Sequence, residues 1–378
     1  MTKIIQRSMA ATAALAAAAG VAAAAPAAAQ TEGVPELSLA EPGGEHTVGT
    51  ESLHLVDEDR ADPWVPSDRR ELMVSLWYPT EGRGDAAPYM TVEESEHFMR
   101  QLQEGVPEKL PGGLLAEVET NAATGTEPSG GDGELPLVVL SPGFSFPRAT
   151  LTGAAEELAS RGYVVAAVGH NYEAPISFPD RTTECVACAE EDYKTVVGTR
   201  TDDLSFVLDE LTGEEPAWED AEVIDSDRVV VGGHSVGGAS AHRAMLEDER
   251  FDAGFNLDGT FFNLGGGKLD RPFLMVGAVE HGQPGSDKTW SKAWKRLDGW
   301  KRWISVGGSG HSSMTDLAPL YEQAGIPSPG IAGDRADDLA RTYVTAFVDR
   351  HLKGEQEPVL DGPSEEWPEV RFHKGSCN

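Results

Sequence analysis

The stretch Val229-Val230-Val231-Gly232-Gly233-His234-Ser235-Val236-Gly237-Gly238-Ala239 decides how this chain is read. Three β-branched residues lead into Gly-His-Ser-Val-Gly, and a run rich in small residues continues to Met245. A buried strand, a sharp turn and a helix in that order put Ser235 at the apex of a G-x-S-x-G elbow. The apex residue needs strained backbone angles, and glycine at both flanks lets strand and helix pass closely enough to hold it. Ser235 then projects with the helix N-terminus behind it, where free N–H groups favour a developing negative charge. The pattern alone says little in a chain with 42 glycines, so the strand before it and the helix after it carry the inference.

Working outward, residues 135–140 (Leu-Pro-Leu-Val-Val-Leu) form a continuous apolar run, the mark of a strand buried on both faces of a parallel sheet. A helix is expected over 149–161, a strand over 163–168 and a helix over 195–211, which leads into the elbow strand at 228–233. Beyond the elbow come strands at 253–257, 272–279 and 302–306, then a closing helix over 336–352. Nearer the N-terminus, Leu53 and Leu55, then Leu72, Val74 and Leu76, alternate with polar residues and read as antiparallel strands. Between these and residue 135 lies an irregular insertion with one amphipathic helix over 92–102, where either a pocket wall or surface decoration would sit. Strands alternating with helices predict right-handed parallel crossovers and an α/β-hydrolase fold, a mostly parallel central sheet flanked by helices in a three-layer sandwich.

The flanks are read separately. Lys3 and Arg7 precede an alanine-rich stretch ending in Pro26-Ala27-Ala28-Ala29, a pattern that predicts a signal peptide over 1–29 and an exported protein; the competing reading is a transmembrane anchor. Residues 30–45 read as a linker, 46–352 as the hydrolase domain and 353–378 as a C-terminal tail. The formal net charge of -33, two more negative without Lys3 and Arg7, argues against nucleic acid and against electrostatic docking on anionic membranes. Acidic clusters such as Asp57-Glu58-Asp59 lack the alternating ligands and turn glycine of a calcium loop, and no second cysteine pair completes a zinc site. No metal and no cofactor is expected. Of the three cysteines, Cys185 and Cys188 are expected to pair and Cys377 to stay free.

A serine hydroxyl needs a base, and the base needs a third group to fix its tautomer; in this fold the chain order is Ser, acid, His. His46, His54, His97 and His170 precede Ser235, and His234 points away from it. His242 and His351 lie on helices, His373 in the tail, and His281 before the last strand. That leaves His311, in the loop Gly307-Gly308-Ser309-Gly310-His311 after the last strand, as the base. For the acid two residues stand open: Asp258, ending the strand after the elbow unit, and Glu280, ending the next one. The oxyanion donors are expected to be the backbone N–H groups of Val236 and of Phe144, in the loop after the first buried strand.

Several ordered segments resemble the plasma and intracellular type II platelet-activating-factor acetylhydrolases and their bacterial relatives. They are Leu76-Trp77-Tyr78-Pro79, Leu137-Val138-Val139-Leu140-Ser141-Pro142-Gly143, Gly233-His234-Ser235-Val236-Gly237-Gly238-Ala239, Leu257-Asp258 and Gly308-Ser309-Gly310-His311. The resemblance covers roughly residues 75–351. It implies ester hydrolysis on a small-molecule or phospholipid-like substrate, and it implies Asp258 as the acid. Phe261 and Phe262, just after Asp258, are then expected to wall a short acyl pocket. Polyester or cutin-type hydrolysis is the rival substrate class, and a catalytically dead hydrolase fold used for binding is the rival of another kind.

Overall fold

The computed structural model describes residues 35–104, 109–326 and 330–373, so the expected signal peptide and Cys377 lie outside the described residues. The strands, in chain order, are β1 (Thr47–Ala61), β2 (Arg69–Thr80), β3 (Asp85–Ala86), β4 (Ala122–Thr124), β5 (Leu135–Ser141) and β6 (Val164–His170). After the small pair β7 (Ile176–Ser177) and β8 (Thr182–Thr183) come β9 (Ile224–His234), β10 (Ala253–Leu257), β11 (Phe273–Ala278), β12 (Lys301–Val306) and β13 (Val370–Phe372). All but β7 and β8 join one sheet in the order 13-12-11-10-9-5-6-2-1-4-3. From β6 to β12 every pairing is parallel, while β2 and β13 run antiparallel on its two sides. The α/β-hydrolase reading of the sequence stands.

Alternation along the strands explains the three layers. Val138 and Leu140 of β5 pack on one face with Leu151, Ala155 and Leu158, and with Leu339, Tyr343 and Phe347 of the closing helix Gly333–Val348. Leu137 and Val139 pack on the other face with Leu204, Val207 and Leu208 of helix Tyr193–Thr212, and with Ala241 and Met245 of the elbow helix Val236–Glu247. Successive side chains point to opposite faces, so strands apolar at every position can hold helices on both sides.

Two boundaries differ from expectation, and the insertion helix falls where it was expected. In the expected linker, Leu37 and Leu39 are buried, and Leu39 N–H donates to the Glu119 carbonyl at 2.9 Å. Apolar residues two apart on an extended segment dock on one surface, so residues 35–45 belong to the fold. The expected tail contributes buried Leu360 and Trp367 and the edge strand β13 on β12. The insertion carries helix Val92–Leu102, started by a capping box at Thr91 and Glu94, and its apolar face covers Leu37, Leu39, Leu317 and Leu320. Cys185 and Cys188 form a disulfide. Among the described residues, no helix is long and apolar enough to cross a membrane.

Candidate active site

Strand ends build the site. β9 runs into Ser235, whose backbone sits at φ 55° and ψ -124°, and the elbow helix begins at the next residue. The approach to β5 is tight: a Cβ on Gly237 would lie 1.9 Å from the Ser141 carbonyl oxygen, which only glycine permits. The Ser235 N–H donates to the Leu257 carbonyl at 2.8 Å, fixing the elbow to the end of β10.

Asp258 follows β10 directly, buried and at a positive φ of 56°. Its Oδ1 accepts the Ala278 N–H at 2.7 Å, and its Oδ2 accepts from His311 Nδ1 at 2.6 Å. On the far side of the imidazole, His311 Nε2 lies 3.0 Å from Ser235 Oγ. Burial pushes the Asp258 carboxyl up, but the N–H groups and positive potential of His281 and His311 outweigh it and hold the group below the ordinary carboxylate range. An ionised Asp258 can only accept, so His311 carries its proton on Nδ1 and turns a free Nε2 lone pair to the serine hydroxyl. Hydroxyl, imidazole and carboxylate in line are what a serine nucleophile requires.

Two further histidines serve the same constellation. His281 Nδ1 donates to Asp258 Oδ2 at 2.9 Å, so two imidazoles share one carboxylate oxygen. Chain order excluded His281 as base, but it sits in the helical turn directly after β11, the strand end that held the alternative acid. His234, read as pointing away, sends its Nε2–H to the His311 backbone carbonyl at 2.9 Å. Burial, then the neighbouring His311, pushes His234 down to about 3, so it is the neutral donor of that bond.

Ligand atoms of Asp258, His281 and His311 lie within 4.8 Å of one another, the spacing a metal ion would need. An ion held there through Nδ1 of His311 would force its proton onto Nε2, the atom facing Ser235. The hydrogen-bonded arrangement is the one that leaves Nε2 free to act.

The aromatic residues divide. Phe262 stacks on Tyr193 at 4.6 Å, Tyr193 meets Phe144 edge-on at 5.3 Å, and these rings and Trp64 pack on Val196, Val197, Val236 and Ala239 beside the nucleophile. Phe261 does not reach it. Its buried ring packs edge-on to His242 at 5.2 Å and to Trp290 at 6.0 Å, on the opposite side of the chain from Phe262. The Phe262 N–H donates back to the Thr260 carbonyl at 2.9 Å, a tight turn centred on Phe261 that carries the two rings to different surroundings. Tyr193 and Trp64 had no sequence signal, because each arrives from a distant segment. The Phe144 N–H makes no hydrogen bond among the described residues.

A sheet of this order, with a serine at the elbow after its central strand, defines an α/β-hydrolase. The chain superposes on a ferulic acid esterase from Streptomyces cinnamoneus with a TM-score of 0.78 at 43% identity, covering 89% of this chain and 99% of that one. It belongs to the family of platelet-activating factor acetylhydrolase, isoform II, whose sequence model matches residues 38–200 and 217–324. A probable 1-alkyl-2-acetylglycerophosphocholine esterase of Arthroderma benhamiae is 27% identical over 88% of this chain and 93% of its own length. The platelet-activating factor acetylhydrolase of Canis lupus familiaris is 23% identical, over 73% of this chain and 71% of its own. The protein is an esterase.

Proposed function

We propose that this esterase is an exported serine carboxylic-ester hydrolase working through an acyl-enzyme on small esters with compact acyl groups. The observation that supports it most is the unbroken path from Ser235 Oγ through His311 to Asp258, at 3.0 and 2.6 Å. Ser235 attacks the ester carbonyl as His311 Nε2 takes its proton. His311 returns that proton to the leaving alcohol, then activates water against the acyl-enzyme. The negative oxygen of each tetrahedral intermediate is held by the N–H groups of Phe144 and Val236. A fluorophosphonate is expected to label Ser235 and no other serine; modification elsewhere with full loss of activity would refute the mechanism. Export rests on the N-terminal stretch alone, and sequencing the secreted product is expected to give a mature N-terminus near Gln30.

The Phe144, Tyr193 and Phe262 rings shorten the acyl side of the site, which favours acetyl to butyryl esters over long chains. Each methylene that finds no room costs up to about 1–3 kcal/mol in the transition state, so rates are expected to fall steeply beyond butyryl. Rates rising steadily from acetyl to palmitoyl would overturn this. Phe262→Ala is expected to move the optimum to longer chains, whereas Phe261→Ala is expected to lower stability without moving it. A second reading, a flat aromatic acyl group, is favoured by the stacked Tyr193–Phe262 pair and by the likeness to the Streptomyces cinnamoneus protein named for ferulic acid. Methyl ferulate in the same rate series separates the two, as a short sn-2 acyl phospholipid does for the lipid-like substrate.

A further inference from the structure

Arg200 lies in the middle of helix Tyr193–Thr212 and is fully buried. Its Nε donates to Glu173 Oε2 at 2.6 Å, which satisfies its charge. The remaining donors turn onto a single loop. Nη1 donates to the Pro142 carbonyl and, at 3.3 Å, to Ser141 Oγ, while Nη2 donates to the Gly143 carbonyl at 3.4 Å.

The Gly143 carbonyl belongs to the same peptide unit as the Phe144 N–H. In a trans peptide these two groups point in opposite directions across one rigid plane. A guanidinium holding the oxygen on the buried side therefore aims the N–H the other way. The Phe146 N–H, at 3.1 Å, grips the same oxygen, and the Glu173 backbone carbonyl closes the far end of the loop by accepting the Ser145 N–H at 3.0 Å. On its other side the loop abuts the elbow, since a Cβ on Gly143 would stand 2.8 Å from His234 Nδ1. The Ser141 contact is set with equal care. Burial, then the charge of Arg200, pushes His170 down to about 3, so His170 is neutral. Its Nδ1–H donates to Asp203 at 2.8 Å and its Nε2 accepts the Ser141 hydroxyl at 2.9 Å. Ser141 Oγ then offers a lone pair, not a proton, to Arg200.

We infer that Arg200 is a positioning residue for catalysis: it fixes and polarises the Gly143–Phe144 peptide so that the Phe144 N–H is presented to the oxyanion. An arginine kept only for a buried ion pair would need its carboxylate and nothing more; here its two terminal nitrogens fall on the two carbonyls that bracket Gly143. Hydrogen bonds in a chain strengthen one another, so the same grip makes the Phe144 N–H a better donor. The inference rests on the reading of the Phe144 N–H as an oxyanion donor.

The test is Arg200→Lys, which keeps the charge beside Glu173 but cannot reach both carbonyls with one amine. For a folded variant, kcat is expected to fall by on the order of 10²-fold with KM within about threefold, as when an oxyanion donor is lost. Affinity for a boronic acid, which forms an anionic tetrahedral adduct on Ser235, is expected to fall in parallel, while affinity for the alcohol product stays unchanged. Glu173→Gln keeps every donor of Arg200 and loosens its clamp, and its amide oxygen can still accept the Trp64 indole N–H that Glu173 Oε1 now accepts at 3.1 Å; it supplies the answer if the lysine variant does not fold. The same pattern at roughly five- to tenfold is expected there. Wild-type kcat and boronate affinity in whichever variant folds, or equal losses for boronate and alcohol, would overturn the inference. Fluorophosphonate labelling of wild-type Ser235 and the loss of boronate affinity in Phe144→Pro, which lacks the N–H, test the underlying reading separately.

Discussion

Replacing Ser235 with alanine is expected to lower ester hydrolysis by about 10⁵–10⁶-fold and to leave the melting temperature unchanged. The large effect follows because Ser235 Oγ is the hydroxyl on His311 Nε2 at 3.0 Å, and the activity that remains after substitution is only what oriented binding and oxyanion donors provide. The neutral effect on stability follows from the backbone. Ser235 holds its φ of 55° because its N–H is tied to Leu257 and Gly237 lets the helix lie against β5. Alanine inherits the same restraints and the same strain. Circular dichroism and a melting curve check the fold; appreciable activity in a folded alanine variant would remove Ser235 from the mechanism.

Asp258→Asn is expected to cost on the order of 10³–10⁴ in kcat, with little change in KM. The Ala278 N–H requires an acceptor, so the asparagine would keep its oxygen at the Oδ1 position and turn its NH₂ towards the two histidines. Both His281 and His311 would then have to accept at Nδ1, which moves the His311 proton to Nε2 and blocks the base. Glu280→Gln, at the strand end that rivalled Asp258 in the sequence, is expected to cost roughly tenfold or less, because His311 Nδ1 is already engaged. The opposite ranking of the two variants in a kcat comparison would show that the acid sits after β11.

Much of this site was legible because its parts lie at the ends of apolar runs. Val229-Val230-Val231 before Ser235, Ala253 to Leu257 before Asp258 and Arg302 to Val306 before His311 each mark a buried strand, and functional side chains follow such strands directly. What stayed hidden has a physical reason in each case. His281 was weighed only as a base, a role closed to it by chain order, whereas its role is to donate to the acid. Arg200 on a helix reads as a solvated charge until the helix is known to lie against the Pro142-Gly143 loop. Which of Phe261 and Phe262 faces the site depends on the twist of a loop with no periodicity. Leu37, Leu39 and β13 were missed because short flanking segments are ordered by the surface they dock on, not by their own pattern.

The four aromatic residues clustered beside Val236, proposed above to wall the acyl group, come from four separate segments. Phe144 follows β5, Trp64 lies between β1 and β2, Tyr193 opens a helix, and Phe262 follows β10. Ser235, Asp258 and His311, by contrast, are cross-tied through Leu257, Ala278 and His234. Under the proposed acyl pocket, selectivity and reactivity evolve on different mutational paths. A change at Trp64, Tyr193 or Phe262 alters one wall without loosening the proton path, so a lineage can drift from one acyl group to another through intermediates that remain active. Relatives named for acetyl esters and for ferulic acid on one fold are what such drift would leave behind.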